Sequence, residues 1–505
     1  MSPILRRLTV MRLSAPIGIL LLLFIAAPLR GDDANHQLLQ LQHAIPAGVE
    51  DCTAANLAEI EQAVEWFDQW MAARTWVAEP LGPAASLKDL RESLELERNI
   101  NHGRERLFAL RTEFAGRPDD DVERERLRVY LRACTALIDL SGRLRYLLRD
   151  RIERATYEVE ADPRQLAALV ELLIEYRSGI GASIVTYLLF DPASDEEGEP
   201  APRGLKQRVL ELVAVTGQLQ LLPELAALLE EPEVPASLLI QLGETLERIG
   251  LPQSPRPGSE AKSVLSAEKL CARLAAIEES ALAPGEIERR KRLLAWLEDR
   301  IAHGVRGDTF RIAGFDLRAG DWLLMRNPSP YNRFTDVSPG LFTHVGVVVA
   351  ETASDGIRRF EIVDLPERGN RIPAIDCHTY LQETLHFVFL RHPDEKVQLK
   401  LASTAASMIG NETQFDLTFR TERVEEYRGQ PLEGKRIHTY CAGFLLICAQ
   451  EAATREEFFP IPERRAGGNC PENLATMGLE IGDHIISPTG ALFSPNLELV
   501  ASCEP

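Results

Sequence analysis

The sequence predicts an α+β protein in which an all-helical module over residues 32–305 precedes a domain over 308–503, built from a small antiparallel sheet and packed helices. Three observations carry that expectation. A chain of 505 residues is too long for one core, so two or three domains are expected. Apolar residues recur at helical spacing from about residue 35 to 305. After Gly307 the texture changes to short β-rich runs separated by turns.

Residues 1–31 read as a signal peptide or N-terminal anchor. Arg6, Arg7 and Arg12 form a basic start, Ile17 to Ala27 is apolar apart from Gly18, and Pro28 and Gly31 break the run before Asp32-Asp33. That apolar run is shorter than the roughly 20 residues a bilayer crossing needs. The segment therefore predicts an exported protein, periplasmic or extracellular, tethered to the membrane if the segment is not cleaved. A formal charge of −20 argues against nucleic acid, which is bound through clustered Lys and Arg, and against docking on anionic lipid. The eight cysteines are scattered without CxxC pairs, so no disulfide scaffold is indicated; bridges among Cys377, Cys470 and Cys503 are open.

In the helical module, Ser86 with Asp89 resembles a capping box ahead of Leu87, Leu90 and Leu94. Leu127, Leu131, Cys134 and Ile138 share one helical face, and Asp162-Pro163 reads as an N-cap followed by proline at the first helical position. Asp191–Gly204 and Leu251–Gly258 are rich in proline and are expected as exposed loops. Between them, 205–250 has the rhythm of one HEAT-like helical pair, set by Pro223, Pro232 and Pro235. Trp66, Trp70 and Trp76 are expected in the core. The module gathers no cluster of His, Cys and carboxylates, and is expected to support the second domain or to bind a protein partner.

In the second domain, Phe310–Phe315, Trp322–Met325, His344–Ala350, Phe360–Leu365 and Leu385–Arg391 read as strands, and Glu395–Ile409 and Cys441–Ala453 as helices. The chemistry centres on Cys441. A thiol nucleophile must lower a pKa of about 8.5, and a helix N-terminus with an imidazole beside it does so. Gly434 marks a loop, His438-Thr439-Tyr440 leads in, and an apolar helix follows, so Cys441 falls in a first helical turn where its own N–H can serve an oxyanion. Cys448, seven residues on, is expected buried and inert. His344 opens an apolar strand after Ser338-Pro339-Gly340 and is the candidate base; His438 is a rival. The group orienting the imidazole is Glu361 or Asp364. Alternation places these two on opposite faces, and spacing alone leaves the choice open. Cys377-His378, His438 and Cys441 lack zinc-ligand spacing, so no metal and no cofactor is expected.

These segments resemble the permuted papain-like cysteine hydrolases, the YaeF/YiiX-like relatives of NlpC-type peptidases. In that family the histidine strand precedes the cysteine helix. Leu317-Arg318-Ala319-Gly320-Asp321-Trp322-Leu323-Leu324 is similar to the family's opening strand, Thr343-His344-Val345-Gly346-Val347 to its histidine strand, and Phe415-Asp416-Leu417-Thr418-Phe419 to its aromatic-Asp segment. Thr439-Tyr440-Cys441 is similar to the nucleophile turn, and Ile486-Ser487-Pro488 through Leu492 to the ending. The resemblance covers the second domain only. It implies a circularly permuted papain-like fold with Cys441 as nucleophile, His344 as base and, from its place after the histidine strand, Asp364 as third residue. Asp416 is expected to be a loop or cap residue. Two departures stand out. Ala442-Gly443 replaces the family's frequent Ser-Glu, and Arg420–Lys435 is an insertion expected as a lid or substrate loop.

The function this implies is an exported thiol hydrolase that cleaves an amide bond through a Cys441 acyl-enzyme. Its substrate is expected to be a peptide, N-acyl or lipid-like compound of the cell envelope, with peptidoglycan-type peptides first. Alternatives are a lipid acyl hydrolase or acyltransferase on the same dyad, or a catalytically inactive envelope scaffold.

Overall fold

The computed structural model describes residues 31–503 apart from 75–79, 115–119, 161, 191–203, 254–264, 327–341, 353–354, 367–368, 383, 385, 460–469, 483–484 and 495. The expected signal or anchor segment, like the Asp191–Gly204 loop apart from Gly204, lies outside the described residues. Among the described residues no helix is long and apolar enough to cross a membrane. The chain is α+β, as its sequence predicts.

The helical half runs α1 (Gly31–Ala44), α2 (Ala54–Arg74), α3 (Pro83–Ala109), α4 (Asp121–Val159), α5 (Pro163–Tyr176), α6 (Ala182–Phe190), α7 (Leu205–Thr216), α8 (Leu222–Glu230), α9 (Ala236–Ile249), α10 (Ala267–Ala275) and α11 (Pro284–His303). Helix α4 is its spine, 39 residues long and thus about 58 Å, with α2 and α3 packed along it. Asp120 caps it by accepting from the Glu123 N–H, and Leu127, Cys134 and Ile138 are buried on one face with Leu131 half-buried beside them. Asp162 caps α5 ahead of Pro163, as its residue types require. Trp70 is buried and Trp66 sits edge-on to Phe67 at 5.1 Å, both core roles; Trp76 is outside the described residues. The prolines set off helices α7, α8 and α9, Pro223 in the first turn of α8 and Pro232 and Pro235 between α8 and α9, with α7 packed along α9.

One cap differs from expectation. Pro83, following Gly82 at φ 81°, starts α3 earlier, so Ser86 lies within the helix. Its hydroxyl donates to Glu158 Oε2 at 2.6 Å, and Asp89 pairs with Arg151 instead of capping.

The second half opens with a hairpin, β1 (Phe310–Ile312) and β2 (Phe315–Leu317). A six-stranded antiparallel sheet follows in the order β10-β7-β3-β4-β5-β6, from β3 (Trp322–Arg326), β4 (His344–Thr352), β5 (Arg358–Val363), β6 (Ala374–Asp376), β7 (His386–Arg391) and β10 (Glu498–Cys503). A short parallel pair joins β8 (Thr413–Phe415) to β9 (Ile437–Thr439). The helices here are α12 (Cys377–Gln382), α13 (Glu395–Ser407), α14 (Glu422–Glu425), α15 (Cys441–Ala449), α16 (Arg455–Phe458), α17 (Cys470–Thr476) and α18 (Pro488–Leu492). Both α13 and α15 pack on β4. Strands β6, β8 and β9 are three residues each, too short to show a period. Helix α15 stops at Ala449, not Ala453: every residue of it is buried, and polar Gln450-Glu451 marks where the chain leaves the core.

Gly320 and Asp321 anchor β3. Gly320 has φ +91° and abuts the Gln398 backbone closely enough that a Cβ would overlap it. Asp321 is fully buried and accepts two 2.7 Å bonds from the Arg391 guanidinium, fixing β3 beside β7.

The segment after α9 overturns an expectation. Leu251–Gly258 is expected as an exposed loop; residues 254–258 lie outside the described residues, and of the rest Leu251 and Gln253 are buried. Strand β6 pairs β5 only from Glu361 onward, which leaves the Phe360 N–H and C=O without a strand partner on that side. The Gln253 side-chain amide takes both, each at 2.8 Å. A buried backbone pair must be satisfied, and here a residue of the helical half does it.

Candidate active site

Cys441 is the first residue of α15, after Tyr440 in extended conformation with no side-chain cap. The first bond of the helix runs from the Phe444 N–H to the Tyr440 carbonyl, so the N–H groups of Cys441, Ala442 and Gly443 precede the ladder. These groups and the helix dipole favour negative charge at the sulfur and at a substrate oxygen beside it. Cys441 is 7% exposed, enclosed yet reachable, whereas Cys448 in the same helix has no exposure and burial pushes its thiol up. The Cys441 thiol donates to the Thr343 carbonyl at 3.7 Å, which places it against the start of β4.

His344 begins β4. Its Nε2 donates to Asp364 Oδ2 at 2.8 Å, which leaves Nδ1 for the Cys441 thiol, its other hydrogen-bonding neighbour. Burial opposes charge on this ring. The hydrogen bonds to Asp364 and to Cys441, with the electrostatic influence of both groups, outweigh that and hold the imidazole pKa up to about 10. The charged form of the ring is thereby favoured, the form that pairs with a thiol nucleophile.

The register decides between Asp364 and Glu361. Val347 faces Val363 across β4 and β5, so residue 364, one step on, lies on the His344 face and diagonal to it. Glu361 pairs with Val349 and Asp376 on the opposite face. Asp364 also accepts a short hydrogen bond from the Tyr380 hydroxyl, on the same Oδ2 that receives His344. Sequence reasoning did not find Tyr380. It sits in α12 beside Cys377-His378, and no local spacing relates it to the dyad.

The other sequence landmarks converge on this point. The Asp416 N–H donates to the Thr439 carbonyl, and Phe419 (φ 52°) packs edge-on to Tyr440 at 5.4 Å, so the aromatic-Asp segment braces the nucleophile turn. The Asp416 side chain accepts from the Thr418 N–H and forms an ion pair with Arg423, a loop-capping role. Thr489 of α18 bonds both backbone groups of Phe342, at 3.4 and 3.1 Å, and so pins the approach to His344. His438 is turned away, its Nδ1 accepting from Arg423 at 2.6 Å.

Three buried oxygens surround the dyad without a protein partner among the described residues: Thr343 Oγ1, Thr439 Oγ1 and Asp364 Oδ1. Unpaired buried polar atoms are uncommon in proteins, and these three lie within a few residues of Cys441 and His344 or bond to His344. The Ala442-Gly443 departure has a steric reason. A Cβ at 443 would overlap Thr439 Oγ1, and Ala442 has no exposure. The Arg420–Lys435 insertion does not hang over the nucleophile as a lid. It packs on the flank of α15 at Leu446 and Ala449, held by Asn411, which bonds Leu432 and Gly434. Cys377 is a free, fully buried thiol, so the disulfide considered for it is not made; the side chains of Cys470 and Cys503 are outside the described residues. Among the described residues no three His, Cys, Asp or Glu side chains gather as for a metal ion.

Comparison with known proteins finds no family model, no curated protein and no solved structure that matches this chain.

Proposed function

We propose that this chain is an exported thiol hydrolase of the permuted papain-like kind, cleaving an amide bond of a peptidoglycan-type peptide or an N-acyl amide. The observation that carries the reading is the Cys441–His344–Asp364 arrangement at a helix N-terminus. The Cys441 thiolate attacks the amide carbonyl carbon and forms the C–S bond. Negative charge moves to the carbonyl oxygen, held by the N–H groups of the α15 start. The tetrahedral intermediate collapses as the C–N bond breaks, and His344 gives its proton to the departing amine. Water then attacks the thioester while His344 takes a proton from it. The C–S bond breaks, the acid leaves, and the thiolate–imidazolium pair is restored. Asp364 keeps the ring oriented throughout.

The test is alkylation of the folded protein with iodoacetamide near pH 7, read by mass spectrometry of each cysteine peptide. Modification is expected first at Cys441, and far more slowly in His344→Ala. Equal labelling of Cys441 in wild type and His344→Ala, or no preference for Cys441 at all, would leave only the catalytically inactive scaffold.

A specific observation favours a second reading, hydrolysis or transfer of a lipid acyl group. A largely apolar cleft of about 270 Å³ lies between α3 and the sheet, lined by Phe108, Ile138, Phe342, Val388, Leu492 and Leu499, with Arg104, Glu105, Arg111 and Thr112 also along it. Phe342 is next to Thr343, whose carbonyl meets the nucleophile. Narrowing the cavity by Leu499→Trp separates the readings: loss of activity on a long-chain acyl ester with unchanged cleavage of a short peptide amide favours the lipid substrate.

A further inference from the structure

Asp364 stands just beyond the end of β5, and its Oδ1 has no protein partner among the described residues. The side chains of His344 and Tyr380 both donate to its Oδ2. Two donors at one oxygen fix the carboxylate in the plane where it meets the imidazole. Tyr380 belongs to α12, which is only six residues long. A helix that short has no stability of its own and must be held from outside.

The hold comes from the helical half, at three points. Before α12, Asp376 Oδ1 accepts from the Thr379 N–H at 3.0 Å, while Asp376 Oδ2 accepts from Gln253 Nε2 at 2.7 Å. Within α12, fully buried His378 donates through Nε2 to the Gly250 carbonyl at 3.1 Å. After α12, Gln220 Nε2 donates to the Thr384 carbonyl at 2.6 Å, and the Thr384 hydroxyl donates back to the Tyr380 carbonyl at 3.2 Å. The helical segment sits hard against the second half at this point. Gly250, at φ +95°, lies so close to the Arg311 carbonyl that any Cβ would overlap it.

We propose that Tyr380 is a positioning residue for Asp364, and that the helical half sets the triad's geometry by holding α12 at Gln220, Gly250 and Gln253. This rests on the Cys441–His344 reading of the site. The helical half is then a structural part of the catalytic centre: its influence reaches the nucleophile through α12, the carboxylate and the imidazole.

The experiment measures the rate of Cys441 alkylation by iodoacetamide from pH 5 to 10 in full-length wild type, Tyr380→Phe, Gln253→Met and the double variant, with hydrogen exchange of 377–384 read in parallel. Tyr380→Phe keeps the ring and removes one hydroxyl. It is expected to slow alkylation at neutral pH by about tenfold, because the ring that pairs with the thiolate is less well placed. It should also shift the pH at which the rate reaches half its plateau, a change that a merely structural role would not produce. Gln253→Met is expected to raise exchange across 377–384 and to slow alkylation, and the double variant should be no slower than the slower single variant, as for two changes in one chain of contacts. Gln220→Met serves in its place if Gln253→Met does not fold. A wild-type rate profile in Tyr380→Phe, or multiplicative losses in the double variant, overturns the proposal. Wild-type Cys441 reacting no faster than buried Cys448 would instead overturn the reading of the dyad.

Discussion

His344 and His378 are both buried, and their surroundings give them opposite charge preferences. Asp364 and Cys441 hold His344 up to about 10 against its burial. Burial takes His378 down to about 4, with Asp376 too weak an opposing influence to restore it. The linkage signs follow. Between about pH 6.5, where a free imidazole titrates, and pH 10, the folded chain keeps a proton on His344 that the unfolded chain has lost. That stabilisation is full below about 6.5 and is lost as pH rises to about 10. His378 works the other way: its stabilisation is present above about 6.5 and is lost as pH falls toward 4, because only the unfolded chain gains the proton. These two groups together predict maximal stability near pH 6.5. Urea unfolding across pH 4 to 10 checks it. The alkaline slope should flatten in His344→Gln and the acidic slope in His378→Gln. Unchanged slopes in both variants would contradict these assignments.

At the scale of the element, α15 combines two demands that compete. It must be apolar all round, because it is buried on every side between the sheet and its flanking helices, and it must end in unpaired N–H groups at Cys441. The turn before it is correspondingly tight. Thr439 Oγ1 occupies the space where a side chain at 443 would go, which is why a glycine stands there. Gly443→Ala is predicted to destabilise the fold by about 1–3 kcal/mol through overpacking and to slow Cys441 alkylation. Adding Thr439→Ala opens that space and should recover most of both losses. A double variant as impaired as the single one would mean that the strain lies elsewhere.

For the whole molecule, the two halves interlock through backbone-level contacts. Gly217 approaches the Ala313 carbonyl so closely that a Cβ would lie 2.5 Å from it, Gln253 completes β5, and Phe108 of α3 stacks on Phe493 at 5.9 Å. Such contacts bury the face of the sheet's domain that the helical half covers. Residues 306–505 expressed alone are predicted to be aggregation-prone and to bind a hydrophobic dye, whereas co-expression with 1–305 should yield a stable complex. Dye binding is read by fluorescence and association by gel filtration. A soluble, dye-silent 306–505 fragment would refute the prediction.

Much of this was legible in the residues themselves. Cys441 at a helix start and His344 at a strand start follow from local pattern, because capping and periodicity act over a few neighbours and leave their mark in one stretch of chain. The α+β division and the caps at Asp162-Pro163 are legible for the same reason. Between Asp364 and Glu361, alternation alone reached a tie. Alternation fixes which residues share a face but not which face meets the next strand, and only the Val347–Val363 register decided it. The start of Leu251–Gly258 misled, since prolines favour exposed turns while Gln253 answers a backbone vacancy left by a short strand far along the chain. Tyr380 was beyond reach of sequence altogether. Its place beside Asp364 depends on α12, and α12 is held by residues of another domain. Local interactions thus determined that Cys441 opens a helix and His344 a strand, and long-range packing alone decided that Asp364 and Tyr380 lie beside them.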